Sequence, residues 1–228
     1  MDWTKAYGNA HEEFPIEKDW AIGENRFRVG DIMAEEDFQW AVSQDADFMY
    51  VDPPWNQSNI SSFFTKAGKQ GLAPDFWQFI DRLLGLMTHV KHDSFIEMGN
   101  QHVDRFATAA SEMGFKTIGA WKITYYGTRP CSLLQVCKNE SKVTGLNLNG
   151  LDDAQTPFEV CNSMPENSRV MDACTGLGAT PIASVATGNR FSGLELNPRR
   201  LANAIKGVSE TLGRKHGIKQ GKHSKRIY

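Results

Sequence analysis

Residues 168–180, SRVMDACTGLGAT, hold the pattern that decides the fold of this 228-residue chain. A short apolar run ends at Asp172 and leads into a turn that contains Gly176 and Gly178. An apolar, helix-forming segment follows, and residues 190–195 form a second apolar run that ends in an acid. A strand, a glycine turn, a helix and a further strand in this order are typical of a parallel β-sheet.

The rest of the chain repeats this alternation of strands and helices. Strands are predicted at residues 25–31, 46–51, 94–98, 116–123, 131–136, 168–173 and 190–194. Helices are predicted at residues 35–43, 74–89, 101–113, 157–164, 179–187 and 198–212. We therefore predict an α/β fold, in which one open, mostly parallel sheet carries helices on both faces.

The composition is that of an ordinary globular protein. The chain has 25 basic and 27 acidic residues, and 40% of its residues are hydrophobic. These values exclude a disulfide scaffold, a collagen-like fibre and a wholly disordered chain. No apolar run approaches the roughly 18 residues of a membrane-spanning helix, and the first residues show no signal-peptide pattern, so we expect a cytoplasmic protein without a membrane partner. The cysteines form no CxxC pair and the histidines no HxxxH pair, so no metal site is predicted.

Changes in composition along the chain predict its organisation. We predict an N-terminal extension at residues 1–23, one domain at 24–212 and a basic tail at 213–228, the domain consisting of a first half (24–138), a polar linker (139–156) and a second half (157–212). The tail carries six Lys and Arg residues and no acid. This pattern is expected of a segment that contacts a polyanion, and it is equally typical of a solubilising terminus.

The glycine turn predicts a pocket for a nucleoside cofactor. Glycines let a ligand approach the backbone, and the carboxylate of Glu195, at the end of the next strand, can accept both hydroxyls of a ribose. NAD is disfavoured because Pro181 stands where a third glycine is expected, and because Asp172 would repel a pyrophosphate. S-adenosylmethionine fits better, with its adenosine at Glu195 and its cationic amino-acid end at Asp172.

A second site is predicted at Asp52-Pro53-Pro54-Trp55, directly after the apolar run 46–51. A carboxylate and a fixed carbonyl can accept the two N–H groups of an exocyclic base amine, which makes its lone pair available to a methyl donor. Proline holds such a carbonyl and brings no competing N–H. An aromatic ring can stack on the base, which contributes about 1–3 kcal/mol per base, once the base is flipped out or single-stranded. The structural alternative is a rigid strand-exit turn.

The two motifs together resemble those of the amino-methyltransferases, which transfer a methyl group from S-adenosylmethionine to adenine N6 or cytosine N4. The order, with residues 52–55 before the glycine turn, is similar to that of the permuted beta class of DNA methyltransferases. The resemblance spans residues 24–212 and implies a single Rossmann-like methyltransferase domain. By the same resemblance, the catalytic residues would be Asp52, Pro53, Pro54 and Trp55, and the cofactor-binding residues Asp31, Asp172, Cys174, Gly176, Gly178, Thr180, Glu195 and Asn197.

Substrate-binding residues are expected in two groups. Tyr125 or Tyr126 would stack on a flipped base, with hairpin packing as the alternative for at least one of them. Arg129, Lys66 and Lys69 would contact phosphates, with solvated surface charge as the alternative for each. The chain lacks the long target-recognition insert that is usual in the family, because only residues 56–72 and 139–156 are candidates. This implies a short recognition site, a specificity partner or single-stranded substrate.

The resulting hypothesis is a DNA adenine-N6 methyltransferase that uses S-adenosylmethionine. Tryptophan after the two prolines resembles the adenine-modifying branch, whereas cytosine-N4 enzymes often have serine in place of Asp52. Methylation of RNA adenine or of cytosine N4 stays open, as does a homodimer. The alternatives from other classes are an inactive methyltransferase-like subunit that binds nucleic acid and, disfavoured by the glycine pattern, an NAD-dependent oxidoreductase.

Overall fold

The structure, a computed structural model, describes residues 7–14 and 18–215. Eight strands form one sheet in the order β1-β2-β8-β7-β3-β4-β6-β5. The strands are β1 (Asp19–Ile22), β2 (Asn25–Val29), β3 (Phe48–Val51), β4 (Asp93–Met98), β5 (Lys116–Tyr125), β6 (Arg129–Cys137), β7 (Arg169–Asp172) and β8 (Arg190–Glu195). The five central strands of this order, β2, β8, β7, β3 and β4, are parallel to one another. Antiparallel pairs flank them, with β1 beside β2 on one side and β6 beside β4 on the other.

Helices cover both faces of this sheet. They are α1 (Ala10–Glu13), α2 (Glu35–Ser43), α3 (Gln57–Lys66), α4 (Phe76–Met87), α5 (Val103–Glu112), α6 (Gln155–Asn162), α7 (Ala179–Ala186) and α8 (Pro198–Lys215), with a 3-10 turn at Asn100–His102. The predicted α/β fold with a mostly parallel sheet and helices on both faces is therefore confirmed. None of the helices in the described ranges is long and apolar enough to cross a membrane.

The central strands are apolar because both of their faces are buried. All four residues of β3 are buried, and Met49 and Val51 pack with α4 on one face, whereas Phe48 and Tyr50 pack with α6 on the other. This alternation is the period-2 geometry of a strand that has helices above and below it. The apolar face of α4 supplies one of these layers. The Asp75 side chain caps this helix by accepting hydrogen bonds from the Trp77 and Gln78 N–H groups.

The polar, serine- and glycine-rich composition of residues 56–72 predicts a loop, but this prediction is wrong because the segment contains helix α3. The Asn56 side chain accepts a hydrogen bond from the Asn59 N–H at 2.9 Å and caps the helix. Ile60 and Phe64, four residues apart, are both buried against the core. Two apolar residues at helical spacing and one cap therefore outweigh the polar composition of the segment.

Two other segments contribute to the sheet and to its core. Within the predicted extension 1–23, β1 pairs antiparallel with β2 at one edge of the sheet. Within the predicted linker 139–156, Val143 and Leu148 are buried in the core beside β3. One sheet thus runs through both predicted halves of the domain. Most of the predicted basic tail, residues 216–228, lies outside the described residues.

The glycine turn between β7 and α7 is shaped by packing. Gly178 has a φ of +107°, and a Cβ atom placed on it would lie 2.7 Å from the Cα of Ala204 in α8. Both the backbone conformation and the contact exclude a side chain at this position. The close approach that the sequence analysis assigned to a ligand is made here by a helix.

Gly178→Ala is expected to lower the free energy of unfolding by more than about 2 kcal/mol, because the substitution adds a backbone clash to an unfavourable φ. Gly145→Ala is the matched control, since Gly145 has a φ of +76° and open space around it. It should cost only about 1 kcal/mol. Urea denaturation of both variants measures the difference, and equal losses would show that the contact with α8 is unimportant.

Candidate functional site

The site lies where the chain's connections diverge. Strands β3 and β7 are parallel neighbours, but β3 leads to β4 on one side and β7 leads to β8 on the other. The loops that follow the two strands therefore separate and leave a crevice at their carboxyl ends, the position at which open α/β sheets bind ligands. Asp52 directly follows β3, and Asp172 is the last residue of β7.

The residues that follow β3, Asp52-Pro53-Pro54-Trp55, form the strand-exit motif, which holds Asp52 in a defined orientation. The Trp55 indole N–H donates a hydrogen bond to Asp52 Oδ1 at 3.0 Å, so the ring and the carboxylate fix each other. Trp55 packs edge-on against Tyr125 at a centroid distance of 5.0 Å, and Tyr125 in turn contacts Tyr126 at 4.3 Å. Tyr126 is 69% exposed. The three rings form an aromatic wall that runs from the carboxylate to the surface.

The pKa of Asp52 is raised to about 7, chiefly by burial. The Trp55 hydrogen bond and the Arg200 charge lower this pKa, whereas the Asp153 charge raises it. A carboxyl with a pKa near neutrality can take up a proton and release it again at physiological pH, which is the property of a general base.

Glu97, on the neighbouring strand β4, lies beside Asp52 and was not predicted from the sequence. Val51 of β3 pairs with Ile96 of β4, so Asp52 and Glu97 follow on adjacent strands. Glu97 is 1% exposed, and its Oε1 accepts a hydrogen bond from the Tyr50 hydroxyl. Burial, and next the Asp52 charge, raise its pKa. The one available signal was an acid inside the apolar run SFIEM.

Asp172 closes the other side of the crevice. Its Oδ1 accepts the Cys174 backbone N–H at 2.8 Å, and the side chain is almost fully buried. Burial raises its pKa to about 7, the Cys174 and Thr180 hydrogen bonds lower it, and the nearby Asp52 charge raises it further. The two acids are therefore close enough to interact electrostatically, and the structure brings the two predicted motifs together.

Glu195 fastens the glycine turn to the next strand. Its Oε2 accepts the Gly176 N–H and its Oε1 accepts the Asn197 N–H, both at 2.8 Å. Asn197 continues this network, because its side-chain amide donates to the Lys66 carbonyl at the end of α3 at 3.0 Å. Each Glu195 oxygen keeps a second lone pair for a ligand hydroxyl.

Two adjoining cavities open at the crevice. The first has Asp31, Cys174 and Glu195 as its polar lining, beside apolar side chains of α3 and α4. The second contains the strand-exit motif and the aromatic wall. Pro54, Phe63 and Arg200 line both cavities and therefore mark the place where they meet.

The predicted residues fall into those that line a cavity and those that do not. Of the eight expected cofactor residues, three line the first cavity, and five do not: Asp172, Gly176, Gly178, Thr180 and Asn197. All four residues of the strand-exit motif line the second cavity, as do Tyr125, Tyr126, Arg129 and Lys66. Lys69 instead forms an ion pair with Asp31 at 3.2 Å. Arg200 was not predicted from the sequence, in which only its position near Glu195 could have indicated it.

The comparisons with known proteins concern the fold. No family model and no curated protein matches the chain. Among solved structures, an M1.HpyAVI–SAM complex is 14% identical with a TM-score of 0.61, covering 80% of this chain and 98% of that one. The chain therefore shares the fold of this protein. TTHA0409 from Thermus thermophilus, complexed with S-adenosyl-L-methionine, is 15% identical with a TM-score of 0.59, over 82% of this chain and 94% of that one. The PvuII cytosine-N4-specific DNA methyltransferase is 9% identical with a TM-score of 0.62, over 87% of this chain and 95% of that one.

The raised pKa of Asp172 predicts a pH-dependent stability. Since its folded-state pKa lies above the ordinary value of 3.8, the folded protein binds more protons between about pH 4 and 7, and stability falls as the pH rises through that window. Asp172→Asn keeps the Oδ1 acceptor and removes the titration. We expect the variant to be more stable than the wild type by roughly 2 kcal/mol or more at pH 8, and equally stable near pH 4.

Chemical denaturation across this pH range measures the difference between the two proteins. Asp81→Asn, which removes an exposed carboxylate from α4, is the matched control and should show no such trend. A constant difference between Asp172→Asn and the wild type from pH 4 to pH 8 would contradict the assigned pKa.

Proposed function

We propose that the chain is an S-adenosylmethionine-dependent DNA methyltransferase that acts on adenine N6. The observation that carries this proposal is the meeting of the two cavities: Asp52 lies in one, Glu195 lines the other, and Pro54 belongs to both. A donor and an acceptor bound in the two cavities would thus lie side by side.

The first cavity suits a cationic nucleoside. Asp31 and Glu195 line it, Asp172 accepts a hydrogen bond from the backbone of the lining residue Cys174, and Ile32, Phe64 and Phe79 provide apolar surface for a purine. The neighbouring structures of M1.HpyAVI and TTHA0409 contain S-adenosylmethionine, which supports the same assignment here. When bound, this cofactor supplies an electrophilic methyl group on a sulfonium.

The second cavity suits an unstacked base. Trp55 and Tyr125 offer aromatic faces, and Asp52 Oδ2 stays available to accept an amine N–H because Trp55 donates to Oδ1. The Pro53 carbonyl would accept the other N–H. With a pKa near 7, Asp52 can also receive the proton that the amine loses on methylation. An aspartate at this position favours adenine over cytosine through the family resemblance.

Arg129 and Lys66 line the same cavity and would contact the phosphates that flank the target base. Nucleic acid bound in this way would lie over the aromatic wall, and the exposed Tyr126 would be the first ring that an extruded base meets. We expect DNA as the substrate, with any homodimer or specificity partner adding to the recognition of sequence.

Replacement of Asp52 by asparagine should lower methyl transfer to DNA by at least about a hundredfold, because the amide cannot accept the proton of the amine. Cofactor affinity should change little, since Asp52 lies in the neighbouring cavity. Single-turnover transfer from labelled cofactor measures the rate, and calorimetry measures the affinity. Asp81→Asn again serves as the control. Full activity of Asp52→Asn would contradict the proposed role.

The modified base identifies the substrate. Mass analysis of nucleosides from DNA and RNA that were incubated with the protein and cofactor should reveal N6-methyladenine in DNA. N4-methylcytosine would favour the activity of the PvuII neighbour instead, and a modified base in RNA alone would move the substrate class to RNA. No methylated base in either polymer would leave the inactive, nucleic-acid-binding subunit as the better interpretation.

A further inference from the structure

Arg200 is a buried cation at the boundary of the two cavities. It is the third residue of α8, it lines both cavities, and its side chain is only 17% exposed. Its guanidinium lies over the Phe63 ring at 4.7 Å and beside the glycine turn, where a Cβ on Gly176 would approach Nη2 to 2.8 Å. The methyl-transfer roles proposed above give this side chain no task.

The guanidinium forms no hydrogen bond with an anion in the described part of the chain. Its Nε is buried without a hydrogen-bond partner. The paired carboxylate, Glu195 Oε2, is 4.0 Å from Nε and already accepts the Gly176 N–H. A buried guanidinium has five N–H donors and is costly to leave unpaired. The position therefore calls for an anionic ligand group in the crevice.

We propose that Arg200 binds the α-carboxylate of the cofactor's amino-acid end and thereby positions the cofactor. This inference rests on the proposed function. The guanidinium fork matches a carboxylate in a bidentate arrangement, and the α-carboxylate is the one anionic group of S-adenosylmethionine. A backbone phosphate of nucleic acid fits less well, because Arg200 is mostly buried against the glycine turn, whereas Arg129 is exposed on the second cavity.

This role would also give the cofactor site its selectivity. The acids Asp31, Asp172 and Glu195 attract cations, so they favour the sulfonium and the ammonium of the cofactor without regard to its carboxylate. Arg200 adds a positive charge beside the glycine turn, whereas the charge of Lys69 is already paired with Asp31, and this charge would distinguish an amino-acid end from an amine or a simple thioether. Its contribution should therefore depend on the carboxylate of the ligand.

The experiment compares two ligands in calorimetric titrations. S-adenosylhomocysteine carries the α-carboxylate, and 5′-methylthioadenosine lacks the whole amino-acid end. Arg200→Gln should weaken the binding of S-adenosylhomocysteine by about 10- to 100-fold, and leave the affinity for 5′-methylthioadenosine unchanged. Arg200→Lys, which keeps the charge but loses the fork, should give a smaller loss. Arg26→Gln removes an exposed arginine at the start of β2 and is the control.

Unchanged binding of S-adenosylhomocysteine by Arg200→Gln would overturn the inference and leave the proposed function intact. An equal loss for both ligands would also overturn it, because the residue would then shape the pocket rather than bind the carboxylate. A raised KM for DNA with normal cofactor affinity would assign the guanidinium to the nucleic acid instead. If the wild type binds neither ligand, the proposed function fails together with the inference.

Discussion

The site depends on one constraint, the divergence of two neighbouring parallel strands. Because the chain leaves β3 toward one edge of the sheet and β7 toward the other, the loops after them cannot cover the gap between the strand ends. Asp52 and Asp172 stand at those two ends, and the raised pKa of Asp172 reflects in part the charge of Asp52. Every other feature of the crevice, from the aromatic wall to the glycine turn, is arranged around this pair of acids.

The crevice concentrates acid in a largely buried space. Burial raises the pKa of Asp52, Glu97 and Asp172, and the positive charge of Arg200 lowers the pKa of Asp52. The arrangement costs stability wherever a carboxylate stays charged, and it is retained at a position where ligands bind. A cationic ligand would relieve that cost, so the electrostatics of the protein itself favours a sulfonium or an ammonium over a pyrophosphate.

The fold was predictable because local patterns and long-range packing agree. The buried runs around β3 and β7, and the glycine turn, gave the order of elements and the edge of the sheet that carries the site. The cap at Asn56 and the pair Ile60 and Phe64 were also visible, but a polar composition concealed α3. Arg200 and Glu97 could not be found in this way. Their roles arise from distant elements that meet only in the folded chain.

The most direct measurement is the affinity of a single ligand in which a methyl-donor half and a methyl-acceptor half are joined. In a bisubstrate analogue of S-adenosylhomocysteine, a short alkyl linker connects adenine N6 to the atom that takes the place of the cofactor's sulfonium sulfur. If the two cavities form one crevice, calorimetry should show this ligand binding at least about a hundredfold more tightly than S-adenosylhomocysteine, because both halves bind in a single event. An affinity no higher than that of S-adenosylhomocysteine would contradict the account.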